Sequence, residues 1–239
     1  MMLKITKIMK ILSIIPARGG SKGIKLKNLI KLNNIPLITY TIRASINSKK
    51  ISRTIVSTDH QDIERAAKKQ GAEIIQRPKK LATSKISLEP VIQHVLDNLQ
   101  NHEGYIPDII VILQNTSPFR NSKHIDDAIS KFVKGDFDSL ISGFSADYFS
   151  WNKMDDNSII PVDFDPKKRP NRQEKHRQFF ENGAIFISKY SSFKKSKCRV
   201  SGKIGFYEMP MYLSYDINEK EDLQIIRGIL KKFGKKYFS

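Results

Sequence analysis

The stretch "ILSIIPA" (11–17) is apolar at both alternating sets of positions, the pattern of a central strand covered on both faces. Short runs of the same kind recur at "TIVST" (54–58), "EIIQR" (73–77), "DIIVILQ" (108–114), "DSLISG" (138–143) and "GAIFIS" (183–188). Between them the apolar period lengthens to that of a helix. "PLITYTIRASINS" sets Ile38, Ile42 and Ile46 at i, i+4 and i+8, and Thr58 and Gln61 stand at capping-box spacing ahead of Ile63, Ala66 and Ala67. Ser87 is placed to cap a helix that carries Val91, Ile92, Val95, Leu96 and Leu99 on one broad face. "SKHIDDAISKFV" (122–133) repeats that device, with Ser122 in the capping position. A last helix over 218–234 has Asn218 and Glu221 at cap spacing and turns Leu223, Ile226, Leu230 and Phe233 inward. Strands alternating with helices predict an α/β domain with a mostly parallel sheet. From about Tyr148 to Gln178 the pattern breaks into polar, aromatic-dotted, Pro- and Arg-rich chain, either a long loop or an inserted excursion.

Composition adds constraints. A chain of 239 residues suits one domain, 1–239, with a sizeable core. The net charge of +18 has a bland reading, a Lys-rich habit, and a sharper one, an anionic partner that is either nucleic acid or a phosphorylated small molecule. No arginine-rich helix, zinc knuckle or basic-aromatic repeat points to nucleic acid, so no specific nucleic-acid partner is expected. A single cysteine, Cys198, excludes an intramolecular disulfide and suits a reducing compartment. Lys7 and Lys10 interrupt the apolar start, no small-residue cleavage site follows, and no run approaches the ~18 apolar residues of a span. The expectation is a soluble cytoplasmic protein with no membrane partner. The five histidines show no metal-ligand spacing.

Chemistry enters at "IIPARGGSKGIKLKNL" (14–29), where the first strand runs into Gly19, Gly20, Gly23 and Ser21 among Arg18, Lys22, Lys25 and Lys27. Open α/β sheets bind ligands beyond the carboxyl ends of their strands. Glycines let backbone N–H groups approach an anion closely. The spacing matches neither G-x-x-x-x-G-K-[ST] nor G-x-G-x-x-G. What remains is a backbone nest with Arg18, Lys22 and Lys27, suited to a triphosphate or pyrophosphate, or else an ordinary glycine turn with solvated lysines.

The loop "IPARGGSKGIKLKNL" resembles the signature of the acylneuraminate cytidylyltransferases, the CMP-sialic acid synthetases and their nonulosonate relatives. "STD" (57–59), "IIQRPKKLA" (74–82), "LQNTSPFR" (113–120), "RPNRQ" (169–173), "FFENGAIFIS" (179–188) and "YDINEKEDL" (215–223) look like that family's later blocks, in its order. The resemblance runs from about residue 11 to 230. It implies a Rossmann-like nucleotidyltransferase that couples CTP to a nonulosonic acid, most often N-acetylneuraminate, with release of pyrophosphate. Legionaminate, pseudaminate or Kdo stand as other acceptors, and a non-catalytic basic nucleotide- or nucleic-acid-binding protein as a reading of another class.

By that resemblance Arg18, Gly19, Gly20, Ser21, Lys22, Lys27, Asn28 and Arg77 face the nucleotide. Gln114, Thr116, Ser117, Arg169, Arg172, Gln173, Asn182 and Gly183 face the acceptor. Arg18, Lys22 and Asp216 carry the catalysis, and Asp216 with Asn218 holds Mg²⁺. Ser117 has a second reading as a helix cap ahead of Pro118, and Asn218 as the cap of the last helix. Three positions depart from the family form: Asn115 stands for its proline, Asn171 for its arginine and Asn218 for its second aspartate. Members are homodimers, and residues 148–178 are the candidate dimerisation excursion.

Overall fold

The structure, a computed structural model, describes residues 9–21, 23–171 and 178–237. Its elements are, in chain order, β1 (Ile11–Pro16), β2 (Lys31–Leu32), β3 (Ile35–Pro36), α1 (Leu37–Ile46), β4 (Arg53–Thr58), α2 (Gln61–Lys68), β5 (Glu73–Gln76) and α3 (Leu88–Glu103). There follow β6 (Ile109–Ile112), α4 (Ser122–Lys134), β7 (Ser139–Ala146), β8 (Trp151–Lys153), β9 (Ile159–Pro161), β10 (Gln178–Lys189), α5 (Tyr190–Ser196), β11 (Ile204–Glu208) and α6 (Asp222–Tyr237).

One sheet of seven strands, in the order β11-β7-β10-β6-β1-β4-β5, forms the middle layer. The pairs from β6 to β5 are parallel, as is β11 with β7, while β10 runs antiparallel to both its neighbours. The sheet is therefore mostly parallel, as expected, with one reversed strand at its heart. The double-sided apolar pattern of β1 has its cause here. Ile11 and Ile15 pack with α1, α2, α4 and α6 on one face, and Leu12 and Ile14 with α3 and α5 on the other. All four are buried. The α3 face named from its period, Val91 through Leu99, is buried throughout. Ile46 departs from its expected place and is exposed at the last turn of α1.

The helix starts differ from expectation in detail. The Thr58 Oγ1 accepts from His60 N, and it is His60 that caps α2, its Nδ1 accepting from Asp62 N at 3.2 Å. Asn121, not Ser122, caps α4, in a capping box closed by His124. Ser87 does hold the position before α3, but its side chain makes no cap hydrogen bond. Asn218 does not cap the last helix. α6 begins at Asp222, whose carboxylate accepts from the N–H groups of Asn218 and Glu219 at 2.7 and 2.9 Å.

The polar stretch after Tyr148 is an excursion. β8 and β9 pair as a small antiparallel hairpin, and a 3₁₀ turn follows at Pro166–Lys168. Its interior is aromatic: Phe164 meets Phe149 at 4.6 Å and Trp151 at 5.1 Å, both edge-on.

Candidate active site

A cleft of about 440 Å³ opens beyond the carboxyl ends of β1 and β6, lined by Pro16, Arg18, Ser21, Gly23, Lys27, Asn28, Leu88, Gln114, Asn115, Thr116 and Asn218. Of the residues expected to face ligands, it brings together Arg18, Ser21, Lys27, Asn28, Gln114, Thr116 and Asn218. Lys22, Arg172 and Gln173 lie outside the described residues.

The glycine loop is short of side chains but fastened by hydrogen bonds. Gly19 N donates to Asp59 Oδ1 at 2.9 Å, and Asn28 Nδ2 donates to the Arg18 carbonyl at 2.9 Å. Lys27 Nζ reaches across to the carbonyls of Ile217 at 2.6 Å and Asn218 at 3.4 Å. No sequence signal outside the quoted "STD" block marks Asp59. Burial lowers the Lys27 pKa, while the carboxylates of Asp216 and then Asp222 oppose that shift. Gly19 and Gly23 are required by close approach rather than by left-handed backbone. A Cβ on Gly19 would stand 2.6 Å from the His60 ring, and one on Gly23 would stand 2.6 Å from the Asn218 carbonyl oxygen. A Cβ on Gly20 would meet nothing within 4 Å.

Arg77 is not a surface arginine. It is buried at the end of β5 and donates from Nη2 to the Ser57 carbonyl at 2.7 Å. Burial pushes its pKa down to about 10, against the raising effect of Asp59.

On the other side, the chain leaving β6 supplies Gln114 and Thr116, and the Thr116 carbonyl accepts from Ile217 N at 2.9 Å. Asn115 is buried and donates from Nδ2 to the Pro16 carbonyl at 3.3 Å, so the residue that replaces the family's proline ties the ends of β1 and β6 together. Ser117 is no helix cap: it is fully buried, and its Oγ donates to the Asn182 carbonyl at 3.0 Å and to Asp216 Oδ1 at 3.4 Å. The Asn182 side chain is consumed behind the cleft wall, by Ser142, Ser214 and the Ala184 N–H. Gly183 has φ +65° and backs the Gln114 side chain, whose Oε1 would be 3.1 Å from a Cβ there. Arg169 sits apart, its guanidinium stacked 4.0 Å over the Phe149 ring in the excursion.

Among the described residues, no three His, Cys, Asp or Glu side chains group to cage a metal. Asp216 is half-buried beside Ser117, and Asn218 lies exposed at the cleft. One carboxylate and one amide oxygen fit Mg²⁺, which keeps waters and takes further oxygens from substrate phosphates.

A family model described as "Cytidylyltransferase" matches residues 12–232. The N-acylneuraminate cytidylyltransferase of Oncorhynchus mykiss is 33% identical over 229 residues, covering 94% of this chain and 51% of that protein. The Escherichia coli protein of the same name is 32% identical over 245 residues, covering 93% and 52%. The chain thus spans about half the length of the curated relatives it matches. Among solved structures, a CMP:2-keto-3-deoxy-manno-octonic acid synthetase complexed with CTP superposes with TM-score 0.67 at 15% identity, covering 93% of this chain and 99% of that one. A cytidylyltransferase from Leptospira borgpetersenii superposes with TM-score 0.62 at 20% identity, covering 97% and 90%. At these identities the likeness is one of fold.

Proposed function

Because this chain belongs to the cytidylyltransferase family, we propose that it transfers the cytidylyl group of CTP to a nonulosonic acid, and that the acid is an N-acylneuraminate. The observation that carries the reading is the cleft itself. A glycine loop bearing Arg18 and Lys27 faces Gln114 and Thr116 across the carboxyl ends of the strands, in a chain one-third identical to named N-acylneuraminate cytidylyltransferases.

In the proposed reaction the anomeric hydroxyl oxygen of the acid attacks the α-phosphorus of CTP. The bond from that phosphorus to the bridging oxygen breaks, pyrophosphate leaves, and the hydroxyl proton passes to solvent. The protein's part is positioning and charge. Arg18, with Lys22, stabilises charge on the triphosphate; Gly19, Gly20, Ser21, Lys27, Asn28 and Arg77 shape and hold the nucleotide side. Gln114 and Thr116 orient the acceptor, backed by Ser117, Asn182 and Gly183. Asp216 and Asn218 would hold Mg²⁺, which supplies charge neutralisation on the phosphates when bound.

Arg169 does not line the cleft of its own chain, and the excursion exposes Trp151, Ile159, Ile160 and Val162. Uncovered apolar surface of this kind marks an interface. In the proposed homodimer the excursion, residues 148–178, covers its apolar side on a second copy and carries Arg169, Arg172 and Gln173 toward that copy's cleft. An arginine fork suits the acid's carboxylate. A single domain working in the cytoplasm completes the reading.

The test is to mix the protein with CTP, Mg²⁺ and a panel of N-acetylneuraminate, legionaminate, pseudaminate and Kdo, and to follow pyrophosphate. Release with N-acetylneuraminate is expected. Release with another acid alone would move the acceptor, and none with any would refute the enzyme.

A further inference from the structure

Arg120 is 1% exposed and the largest of the fully buried side chains. Among the described residues no carboxylate lies within ion-pair distance of it; its donors go to neutral oxygens. Nε donates to the Ala184 carbonyl at 2.7 Å, Nη1 and Nη2 both donate to Thr41 Oγ1 at 3.1 Å, and Nη2 also donates to the Gln114 carbonyl. Burying a cation without a counter-ion is costly, and apolar side chains of similar volume commonly do as well for stability. Stability alone is therefore a weak reason for this residue.

The sheet supplies a better one. β10 pairs with β6 only as far as Phe186 opposite Ile112, and its register against β7 shifts between Glu181 and Phe186. Beyond that point the ladder between β6 and β10 ends, yet the two chains must still hold the Gln114 side chain against Gly183. Arg120 bridges the gap, taking one carbonyl from each chain and anchoring itself on α1 through Thr41. Burial pushes its pKa down, and the Asp216 carboxylate is the acidic group whose field opposes that.

We infer that Arg120 is a positioning residue for the acceptor half of the cleft, a buried clamp that replaces the missing ladder between β6 and β10 and fixes Gln114 against Gly183. The inference rests on the proposed reading that Gln114 faces the acceptor.

Three variants test it. Arg120→Lys keeps a cation and loses the fork; Thr41→Val removes the clamp's anchor without touching the cleft, and Thr41→Ser restores the hydroxyl. Hydrogen exchange over 113–117 and 182–186 should quicken at least tenfold in Thr41→Val and return in Thr41→Ser. Unchanged exchange in an enzyme that binds or not would overturn the clamp. In turnover, the KM for the acid should rise roughly three- to tenfold in Thr41→Val and kcat/KM for the acid should fall at least thirtyfold in Arg120→Lys. The KM for CTP should stay within twofold. A lower kcat with both KM values unchanged, or an equal rise in both, would reduce Arg120 to a structural residue. A wild-type protein inactive with every acid would refute the proposed reaction, leaving the exchange experiment to decide the clamp.

Discussion

Gly23→Ala puts the proposed nucleotide loop to its sharpest test. The added Cβ would stand 2.6 Å from the Asn218 carbonyl oxygen, well inside the 3.0 Å that real Cβ atoms respect. Both partners are backbone, so no side chain can swing away. The seam must open by several tenths of an ångström, and the far side is held, because Ile217 N is bonded to the Thr116 carbonyl at 2.9 Å. The loop therefore moves, weakening the 2.6 Å bond from Lys27 to Ile217 and carrying Arg18 and Ser21 with it. A misplacement of ~1 Å near the chemistry costs up to about 100-fold. A shift of roughly half that should cost about tenfold, or ~1.4 kcal/mol of transition-state stabilisation. Initial rates of pyrophosphate release against CTP concentration should show kcat/KM for CTP down about tenfold. Thermal unfolding should move little, since of the described residues between Arg18 and Asn28 only Ile24 belongs to a core cluster. Gly20→Ala is the matched comparison, because its Cβ meets nothing within 4 Å of protein; a smaller loss is expected there. A Gly23→Ala enzyme within twofold of wild type would refute the reasoning.

Three further outcomes follow from other parts of the molecule. Asp216→Asn should lower pyrophosphate release by at least about 100-fold, on the scale of a lost electrostatic donor. Its melting temperature should hold, because the half-buried carboxylate makes one long contact, 3.4 Å to Ser117; undiminished activity would remove Asp216 from the proposed Mg²⁺ site. His124 has its pKa pushed down to about 4 by burial, and its Nδ1 accepts from Asn121 N in the α4 capping box. The unfolded chain takes up that proton near pH 6.5 and the folded one does not, so stability should be full above pH 6.5 and fall from there toward pH 4. His124→Gln keeps a capping acceptor and should flatten that slope of melting temperature against pH. Replacing Ile159 and Ile160 together by Asp should turn a dimer into a folded monomer in sedimentation velocity, and a dimer that persists would exclude the hairpin as its interface.

Much of the fold was legible because the cues were local. Double-sided apolarity marked β1, and helical spacing marked the α3 face, residue by residue. Strand direction was not legible: "GAIFIS" reads the same whether parallel or reversed, and only tertiary pairing makes β10 antiparallel. Caps were half legible, since several polar residues compete at each helix start. His60 displaced Thr58, whose hydroxyl turned to the His60 N–H, and Asp222 took the Asn218 N–H that the cap spacing gave to Glu221. At the site, the resemblance named Arg18, Lys27 and Gln114, and the fold brings all three to one cleft. The resemblance gave no sign that the side chains of Ser117 and Asn182 are buried and hydrogen-bonded to other parts of the chain. Nor does a buried arginine look different from a surface one in sequence, because the burial of Arg77 and Arg120 is made by tertiary packing.

The reversal of β10 has a consequence for redesign. The parallel half, β1, β4, β5 and β6, carries the whole glycine loop and Arg77, while β7, β10 and β11 with the excursion belong to a later, contiguous length of chain. On the proposed reading the glycine loop and Arg77 serve the nucleotide, the excursion serves the acceptor, and Gln114 and Thr116 stand at the seam between them. A chimera that exchanges residues 138–208 for those of a relative with another acceptor would change the sugar and leave the nucleotide alone, provided Gln114, Thr116, Asp216 and the arginine that spans the seam are kept.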